Sequence, residues 1–439
     1  MKQGHKERRQ KIKTHKQLLL ILIILLLAIL FLGKLVVRPY KKSNIGVYSY
    51  CNNSSNIYFV NETTPQINLD FPDTRIGAMS LIGNTLFITT FNPFQFNDSA
   101  NESVIAVNVS SGRVLWRKQM SDGVMSQPIT YKGAIIVGLG MANSNNKNGL
   151  VALNDTTGNI IWIFSRKEET MPTPTLVNGL LFGAYGAGYY LINASNGNVI
   201  YIKNALPDMM SSPHIVKGTA YFGAGYTNSY SFYAVNVSTG KIDWIDNFTQ
   251  AEGGMADIEP AIYNGIVISG FLNNSLYSNQ TLVGMNMSTG KIMWETSEVN
   301  ASEQVPVIVP PKISNIVPSG RGQSMSAIEI YNGIGYSDST SLGLLVAFSP
   351  LNGKVLWAFS TGSCNSGPTF YDNAAIIACK NGVVYAINAS TGALINQVMA
   401  VPHSSFPLVL TRNEVILGGN DGRVMSVSLE QLLKKSTSS

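Results

Sequence analysis

The sequence predicts an all-β protein in which eight similar four-stranded units form a closed β-propeller, preceded by an N-terminal transmembrane helix. Three observations support this prediction. A glycine-containing motif recurs along the 439-residue chain, a short hairpin pattern alternates with it, and an apolar run lies near the N-terminus. The chain accordingly divides into a basic tail at 1–17, a membrane segment at 18–37, a linker at 38–55 and the propeller at 56–435.

The recurring motif has an aromatic residue four positions after its glycine. It reads AVNVSSGRVLW at 106–116 and AVNVSTGKIDW at 234–244. All five tryptophans of the protein occupy the aromatic position, so the motif marks a structural repeat. A degraded eighth copy starts at Ser426. The seven clear copies pair Gly112 with Trp116, Gly158 with Trp162, Gly197 with Tyr201, Gly240 with Trp244, Gly290 with Trp294, Gly353 with Trp357 and Gly392 with Asn396.

Two apolar runs joined by an Asn-Gly or Lys-Gly pair precede each motif, as in PAIYNGIVISG at 260–270. Such a pair between apolar runs favours a tight β-hairpin. Each unit therefore reads as strands A, B, C and D, with the motif forming the C–D turn. One four-stranded unit cannot bury both of its faces, and packing the units around an axis solves this. We expect the aromatic residue on strand D to pack against a neighbouring blade.

The last unit lacks a D strand of its own. NIYFV at 56–60 has the length and alternation of a strand, and we expect it to close the ring by pairing with the C-terminal unit. Closure removes a sheet edge that would otherwise aggregate. A seven-bladed ring is the alternative if the eighth copy does not pack.

The N-terminal segment predicts a membrane anchor. Leu18 to Leu32 is unbroken apolar sequence, and about 20 helical residues span the hydrocarbon layer of a bilayer. Seven Lys or Arg residues precede the run, which places the propeller outside the cytoplasm by the positive-inside rule. A cleaved signal peptide is the alternative. Residues 43–439 hold 20 basic and 24 acidic residues, so we expect no nucleic-acid partner.

Asn-x-Ser/Thr sequons and cysteines are informative about location, because glycosylation and disulfide bonds are typical of proteins outside the cytoplasm. The motif asparagines in six sequons (Asn108, Asn154, Asn193, Asn236, Asn286 and Asn388) favour turn formation. Cys364 and Cys379 flank a hairpin, and both a disulfide and two free thiols remain open. The other nine sequons are candidates for glycosylation: Asn52, Asn53, Asn61, Asn97, Asn101, Asn247, Asn273, Asn279 and Asn300.

The repeat resembles the tryptophan-docking motif of the pyrroloquinoline-quinone (PQQ) dehydrogenase family, which includes quinone-free relatives such as the bacterial outer-membrane assembly propeller lipoprotein. The resemblance covers residues 75–430 and implies a propeller. For the dehydrogenases it implies PQQ, calcium and a disulfide between adjacent cysteines, and no two cysteines are adjacent here. Asp257 and Glu259 are the acidic residues nearest to such a role. We therefore expect no cofactor and no catalysis, with a PQQ- and calcium-dependent redox enzyme as the alternative.

The long insertions all follow strand B or strand D, at 92–103, 141–149, 271–281, 337–343 and 295–325. Propeller topology sends these connections to one face, which we predict to bind a protein or glycan partner, because variable loops on a rigid scaffold commonly carry binding. His214 and His403, the only histidines beyond the anchor, have no metal-ligand spacing. Four methionines precede strand A at matching positions, so their thioethers could ring the channel mouth and bind Cu(I), or simply fill it: Met125, Met171, Met210 and Met325.

Overall fold

The prediction of eight blades is confirmed by a computed structural model, in which eight sheets of four or five strands form the propeller. The structure describes residues 67–92, 102–140, 148–204, 209, 211–225, 230–251, 258–272, 280–297, 304–311, 328–339, 342–362, 364, 367–400 and 408–434.

Each blade is a meander whose strands A to D run from the axis outward. Blades 1 and 2 contain β2–β5 (Arg75–Ile82, Thr85–Phe91, Ser103–Asn108, Arg113–Gln119) and β6–β9 (Ile129–Tyr131, Ala134–Leu139, Asn148–Asn154, Ile160–Arg166). Blades 3 and 4 contain β10–β13 (Thr175–Val177, Leu180–Tyr185, Gly188–Asn193, Val199–Asn204) and β14–β17 (His214–Val216, Thr219–Gly225, Tyr230–Asn236, Lys241–Phe248). Blade 5 contains β18–β21 (Ala261–Tyr263, Ile266–Leu272, Gln280–Asn286, Ile292–Ser297). Blade 6 contains β23–β26 (Glu329–Tyr331, Ile334–Ser339, Leu344–Phe348, Val355–Ser360) with β22 (Val307–Ile308) added outside, and blade 7 contains β27–β30 (Thr369–Tyr371, Ala374–Ala378, Val383–Asn388, Leu394–Met399).

The ring closes through a different segment from the one expected. Blade 8 contains β31 (Val409–Leu410), β32 (Glu414–Gly418) and β33 (Arg423–Ser428), and its outer strand is β1 (Asn68–Asp70). Asn68 pairs with Met425 in an antiparallel register. Closure by N-terminal sequence is therefore confirmed, but the assignment to 56–60 is wrong, because β1 occupies the place beside β33. Residues 56–60 lie outside the described residues.

In the chain, a short helix follows β33 at the point where the other blades continue into a D strand. Helix α1 (Leu429–Leu433) starts directly after β33, and the Ser428 hydroxyl accepts a hydrogen bond from the backbone N–H of Gln431. A serine that caps the first turn favours a helix over a continued strand. Leu429 and Leu432 are buried against blades 7 and 8. The degraded eighth motif thus becomes a cap on the last blade.

Part of the insertion at 295–325 lies on the outside of blade 6. Within it, β22 pairs in parallel with β26, with Val307 opposite Ala358 and Ile308 opposite Phe359. We call residues 304–311 the outer strap. Its placement corrects the prediction that the whole insertion belongs to the face formed by the B–C and D–A connections.

The motif explains the C–D turns. In blade 2, the amide oxygen of Asn154 accepts hydrogen bonds from the backbone N–H groups of Thr156 and Thr157, at 3.1 and 2.9 Å. The N–H of Gly158 donates to the Asn154 carbonyl at 2.8 Å, and Gly158 has a φ of 71°. Glycine adopts this left-handed conformation without a steric penalty. The predicted role of the motif asparagines in turn formation is confirmed by this geometry.

The predicted docking of each D-strand aromatic on the next blade is confirmed. The indole N–H of Trp116 donates to the carbonyl oxygen of Asp155 at 2.9 Å, across the interface between blades 1 and 2. The same relationship recurs around the ring, with a phenol or an amide where tryptophan is absent. The remaining pairs are Trp162 with Ala194, Tyr201 with Val237, Trp244 with Met287, Trp294 with Pro350, Trp357 with Ala389 and Asn396 with Gln431.

Residues 1–66, which include the predicted anchor at 18–37, lie outside the described residues. Across the part of the chain that is described, no helix combines the length and apolar character that a membrane crossing requires.

Candidate functional site at the loop face

Strand topology defines two faces of the propeller. The A–B and C–D turns lie on one face, which we call the turn face, and the B–C and D–A connections lie on the other, the loop face. The insertions at 92–103, 141–149, 271–281 and 337–343 each join a B strand to a C strand, so the described strand ends on both sides of them reach the loop face. The site of most chemical interest lies at this end of the inner strands.

Ionisable side chains are buried at the loop-face end of several blades. Burying a charge away from water is costly unless other groups stabilise it. If these positions served only the stability of the fold, apolar side chains would therefore be sufficient there. The buried or partly buried ionisable residues at this end are Arg75, Glu102, Glu259, Glu329, Asp338 and Lys380.

Arg75, Asp338 and Lys380 form a cluster at the loop-face end of the blades. Asp338 is the penultimate residue of β24 in blade 6 and is fully buried. Lys380 lies in the B–C turn of blade 7 and interacts electrostatically with both Asp338 and Arg75. Arg75 begins β2 in blade 1, where the N–H of Ile76 donates to the carbonyl of Gly419 in blade 8 at 3.2 Å. The cluster thus draws two cations and one carboxylate from three blades to the same end of the ring.

The surroundings shift the pKa values of the two cations. Burial lowers the pKa of the Lys380 amine; the charge of Asp338 opposes this shift and that of Arg75 adds to it. Burial also lowers the pKa of the Arg75 guanidinium. Both effects reflect the loss of hydration of a positive charge.

Apart from this cluster, a pair of carboxylates lies at the loop-face end of blades 5 and 6. Glu259 is partly buried just before β18, and Glu329 is the buried first residue of β23. Burial raises the pKa of the Glu259 carboxyl well above its ordinary value, and the negative charge of Glu329 raises it further. Both effects favour the neutral acid form of Glu259. Asp257 lies outside the described residues, so its role as a companion of Glu259 remains a prediction.

His214 has a structural contact. It begins β14, burial lowers its pKa, and a hydrogen bond to the backbone of Pro260 opposes that shift. The described residues contain no group of three or more His, Cys, Asp or Glu side chains arranged to hold a metal ion. His403 lies outside the described residues.

The open question about the cysteines is resolved in favour of a bond. Cys364, in the connection from blade 6 to blade 7, forms a disulfide with Cys379 at the end of blade 7's B strand. Both residues are fully buried, and Cys379 is next to Lys380 in the chain. The disulfide ties a loop-face connection to the blade that carries part of the charged cluster.

The methionine ring stays a prediction. Met125 and Met171 are buried at the loop-face starts of blades 2 and 3. Met210 and Met325 lie outside the described residues. The two described thioethers are as compatible with core packing as with a soft-metal site.

One of the nine glycosylation candidates falls in the described part of the chain. Asn247 lies near the end of β17 with an exposed side chain, and its amide oxygen accepts a hydrogen bond from the Ser231 hydroxyl at 2.7 Å. This leaves the amide nitrogen available for a glycan. The other eight lie outside the described residues.

Sequence reasoning did not select Arg75, Asp338 or Lys380. A signal was present, because Asp338 lies near the end of the B strand of blade 6 and Lys380 follows shortly after the apolar B strand of blade 7. A charge at the end of a buried strand is unusual unless it has a partner. The partners come from different blades, so no local pattern reveals the cluster.

Comparisons with known proteins agree with this architecture. A family model described as outer membrane protein assembly factor BamB matches residues 75–181, 147–333 and 341–434. BamB from Moraxella catarrhalis superposes with a TM-score of 0.58 at 16% identity, covering 84% of this chain and 100% of that chain. Quinohemoprotein alcohol dehydrogenase ADHIIG from Pseudomonas putida HK5 gives a TM-score of 0.60 at 12% identity, with 90% and 82% covered.

Among curated proteins, tetrathionate hydrolase of Acidithiobacillus ferrooxidans is 24% identical over 360 residues, which are 74% of this chain and 68% of that protein. The structural similarities lie below 25% identity and show the fold alone. The family match spans most of the propeller, from the first strand of blade 1 to the helix that caps blade 8. This chain therefore belongs to the PQQ-like β-propeller family described as outer membrane protein assembly factor BamB.

Proposed function

We propose that the protein is a non-catalytic binding and assembly scaffold that recognises a protein or glycan partner through its loop face. In the same proposal, segment 18–37 anchors it in the membrane with the propeller outside the cytoplasm. The observation that carries the proposal is the concentration of buried ionisable side chains at the loop-face end of the blades, among them Arg75, Asp338 and Lys380. Fixed charges on a rigid scaffold select partners by electrostatic complementarity.

Three further observations support this function. Several insertions lengthen the B–C connections, whereas the turn face is built from tight turns such as Asn264–Gly265, with φ values of 46° and 82°. The Cys364–Cys379 disulfide suits an oxidising compartment. Membership of a family described as an assembly factor also favours a protein partner.

Site-directed photo-crosslinking in native membranes tests the choice of face. A photoreactive amino acid at Ser121 or Lys167, both exposed near the loop face, should capture a discrete partner. The same amino acid at Lys132 or Lys217, both exposed in turn-face hairpins, provides the matched control. Capture only from Lys132 or Lys217 would contradict the proposal. The sensitivity of the propeller to a protease added outside the sealed cytoplasmic membrane tests its location independently, because only a propeller outside the cytoplasm would be accessible.

A second candidate function is hydrolysis of a small dianion such as tetrathionate, favoured by the charged cluster and by the similarity to tetrathionate hydrolase. Arg75 and Lys380 would hold the anion while water attacks one sulfonate sulfur and the S–S bond to that sulfur breaks, which gives sulfate and a disulfane monosulfonate. Asp338 would accept one proton of the attacking water, and the second proton would pass to solvent. Loss of tetrathionate upon incubation with the purified protein tests this function. Asp338→Asn should abolish turnover, whereas Glu259→Gln should retain it. No turnover by the wild-type protein would exclude this candidate.

The remaining alternative is redox chemistry with PQQ and calcium. The described disulfide joins residues 364 and 379, unlike the bond between adjacent cysteines that the dehydrogenase resemblance implies. An absorbance titration with PQQ and calcium tests this alternative. Saturable binding that is lost in Arg75→Gln would favour it over the scaffold function.

A further inference from the structure

The outer edges of the blades are covered unequally. Blade 8 ends in β1, and helix α1 lies against blade 7, where Asn396 donates a hydrogen bond to the Gln431 carbonyl at 3.0 Å. The outer strap covers blade 6 and extends to blade 7, where Gln397 donates to the Pro311 carbonyl at 2.8 Å. In the described part of the chain, the D strands of blades 1–5 have no strand paired to their outer edge.

One position of the repeat shows how the outer strap changes the exposure of the side chains beneath it. Two residues after the motif glycine, blade 6 has Val355, which is 2% exposed and packs against Val305 and Val307 of the outer strap. The equivalent side chains of blades 1–5 are between 39% and 48% exposed. They are Val114, Ile160, Val199, Ile242 and Ile292.

Blade 2 differs from the other open edges in its charge. Its residues 160–164 read IIWIF, with no charged side chain, and Ile161 and Ile163 are 48% and 55% exposed. Charged side chains on an edge strand prevent another strand from pairing with it. The corresponding five-residue stretches of the other open blades all contain such a charge: Arg117 and Lys118 in blade 1, Lys203 in blade 3, Asp243 and Asp246 in blade 4, and Glu295 in blade 5.

We propose that the outer edge of β9 in blade 2 is a docking site for a segment of a separate polypeptide. This segment is extended, uncharged and rich in β-branched residues, and it adds to β9 in parallel as a fifth strand. The outer strap defines the chemistry of this occupant, because the chain itself adds a Val- and Ile-rich segment to blade 6 in this way. Backbone hydrogen bonds to the open edge provide affinity, and the exposed isoleucines select apolar side chains. This site is separate from the loop face and does not depend on the function proposed for it.

Binding of a fluorescein-labelled peptide with the sequence of residues 304–311 to the full-length protein tests the proposal. Fluorescence anisotropy should show saturable binding, and hydrogen–deuterium exchange should slow at the amides of Ile160–Arg166. The exchange pattern separates docking on blade 2 from displacement of the outer strap on blade 6. No binding up to millimolar peptide, or protection confined to β26, would overturn the proposal.

Variants on matched edges test the role of charge. Ile163→Lys places a charge on the open edge of blade 2 and should weaken peptide binding at least tenfold. Ile245→Lys makes the same change on blade 4, at a side chain that is 45% exposed, and should leave binding unchanged. Equal binding to both variants would overturn the proposal. A wild-type dimer that Ile163→Lys converts to a monomer would identify a second copy of this chain as the occupant and would likewise overturn it.

Discussion

The ring of Trp162 in blade 2 lies directly over Gly197 in blade 3, so that a Cβ atom on this glycine would be 2.7 Å from Cε3 of the indole. The indole N–H also donates to the carbonyl of Ala194 in the same turn, at 3.1 Å. The motif glycine therefore has two roles, one in its own turn and one in accepting the aromatic ring of the preceding blade.

The first prediction separates these roles. Gly197 and Gly112 have similar φ values of 71° and 66°, but no atom lies within 4 Å of a Cβ built on Gly112, because blade 8 has no docking tryptophan. Gly112→Ala should cost about 1 kcal/mol of unfolding free energy through backbone strain alone. Gly197→Ala should cost about 3 kcal/mol, since overpacking against the ring adds to that strain. Chemical denaturation measures both, and equal losses would contradict a role for the ring contact.

The second prediction concerns the one motif with a tyrosine. Each docking tryptophan pairs across the sheet with a small residue, as Trp162 does with Ala152 and Trp294 with Gly284, whereas Tyr201 pairs with Leu191. Tyr201→Trp should therefore overpack and destabilise the protein by about 1–3 kcal/mol.

A double-mutant cycle tests this explanation. Leu191→Ala should destabilise through a cavity, and the double variant should be more stable than the sum of the single effects predicts, by more than about 1 kcal/mol. Additive losses would show that the size of residue 191 does not limit the residue at 201.

The third prediction concerns Glu259. Its pKa is raised in the folded state, so folding favours the protonated carboxyl. The contribution of this carboxyl to the unfolding free energy is therefore fully present below its pKa in the unfolded state. Between the unfolded and folded pKa values, each pH unit should remove about 1.4 kcal/mol of unfolding free energy.

Glu259→Gln cannot ionise, so it should be more stable than the wild type at neutral pH, with the difference vanishing toward pH 4. Glu329→Gln removes the neighbouring negative charge, which lowers the folded-state pKa of Glu259, and should narrow the pH range over which stability falls without abolishing the fall. Denaturation midpoints between pH 4 and 8 measure these effects. A slope that is identical in the wild type and Glu259→Gln would contradict the assignment.

The fourth prediction concerns the disulfide. Cys364 and Cys379 are 15 residues apart in the chain, and a bridge that closes such a loop contributes about 3 kcal/mol. The double variant Cys364→Ser, Cys379→Ser should lose this stability and should not respond to reductant. Cys51→Ser, at the remaining cysteine, is the control and should behave like the wild type. A wild-type protein whose denaturation midpoint does not change with reductant would argue against the bond.

The repeated parts of the fold were predictable because their causes are local. Asn154 and Gly158 determine a turn within five residues, and the tryptophan four positions after each glycine marks the strand that docks on the next blade. Seven clear copies and a degraded eighth were sufficient to predict the blades and their order. The candidate site was not predictable in this way, because Arg75, Asp338 and Lys380 belong to three blades and are far apart in the sequence.

The sequence by itself thus determined the four-stranded unit, its turns and its aromatic contacts, all of which depend on residues close together in the chain. Tertiary structure alone decided that β1 closes the ring, that the outer strap adds to blade 6 and that Cys364 bonds to Cys379. The physical reason is that the local sequence of a short segment, whether 56–60 or the Asn-Leu-Asp of β1, does not by itself select the strand with which it pairs. Its partner is selected only when the whole ring brings the first and last strands of the propeller to the same blade.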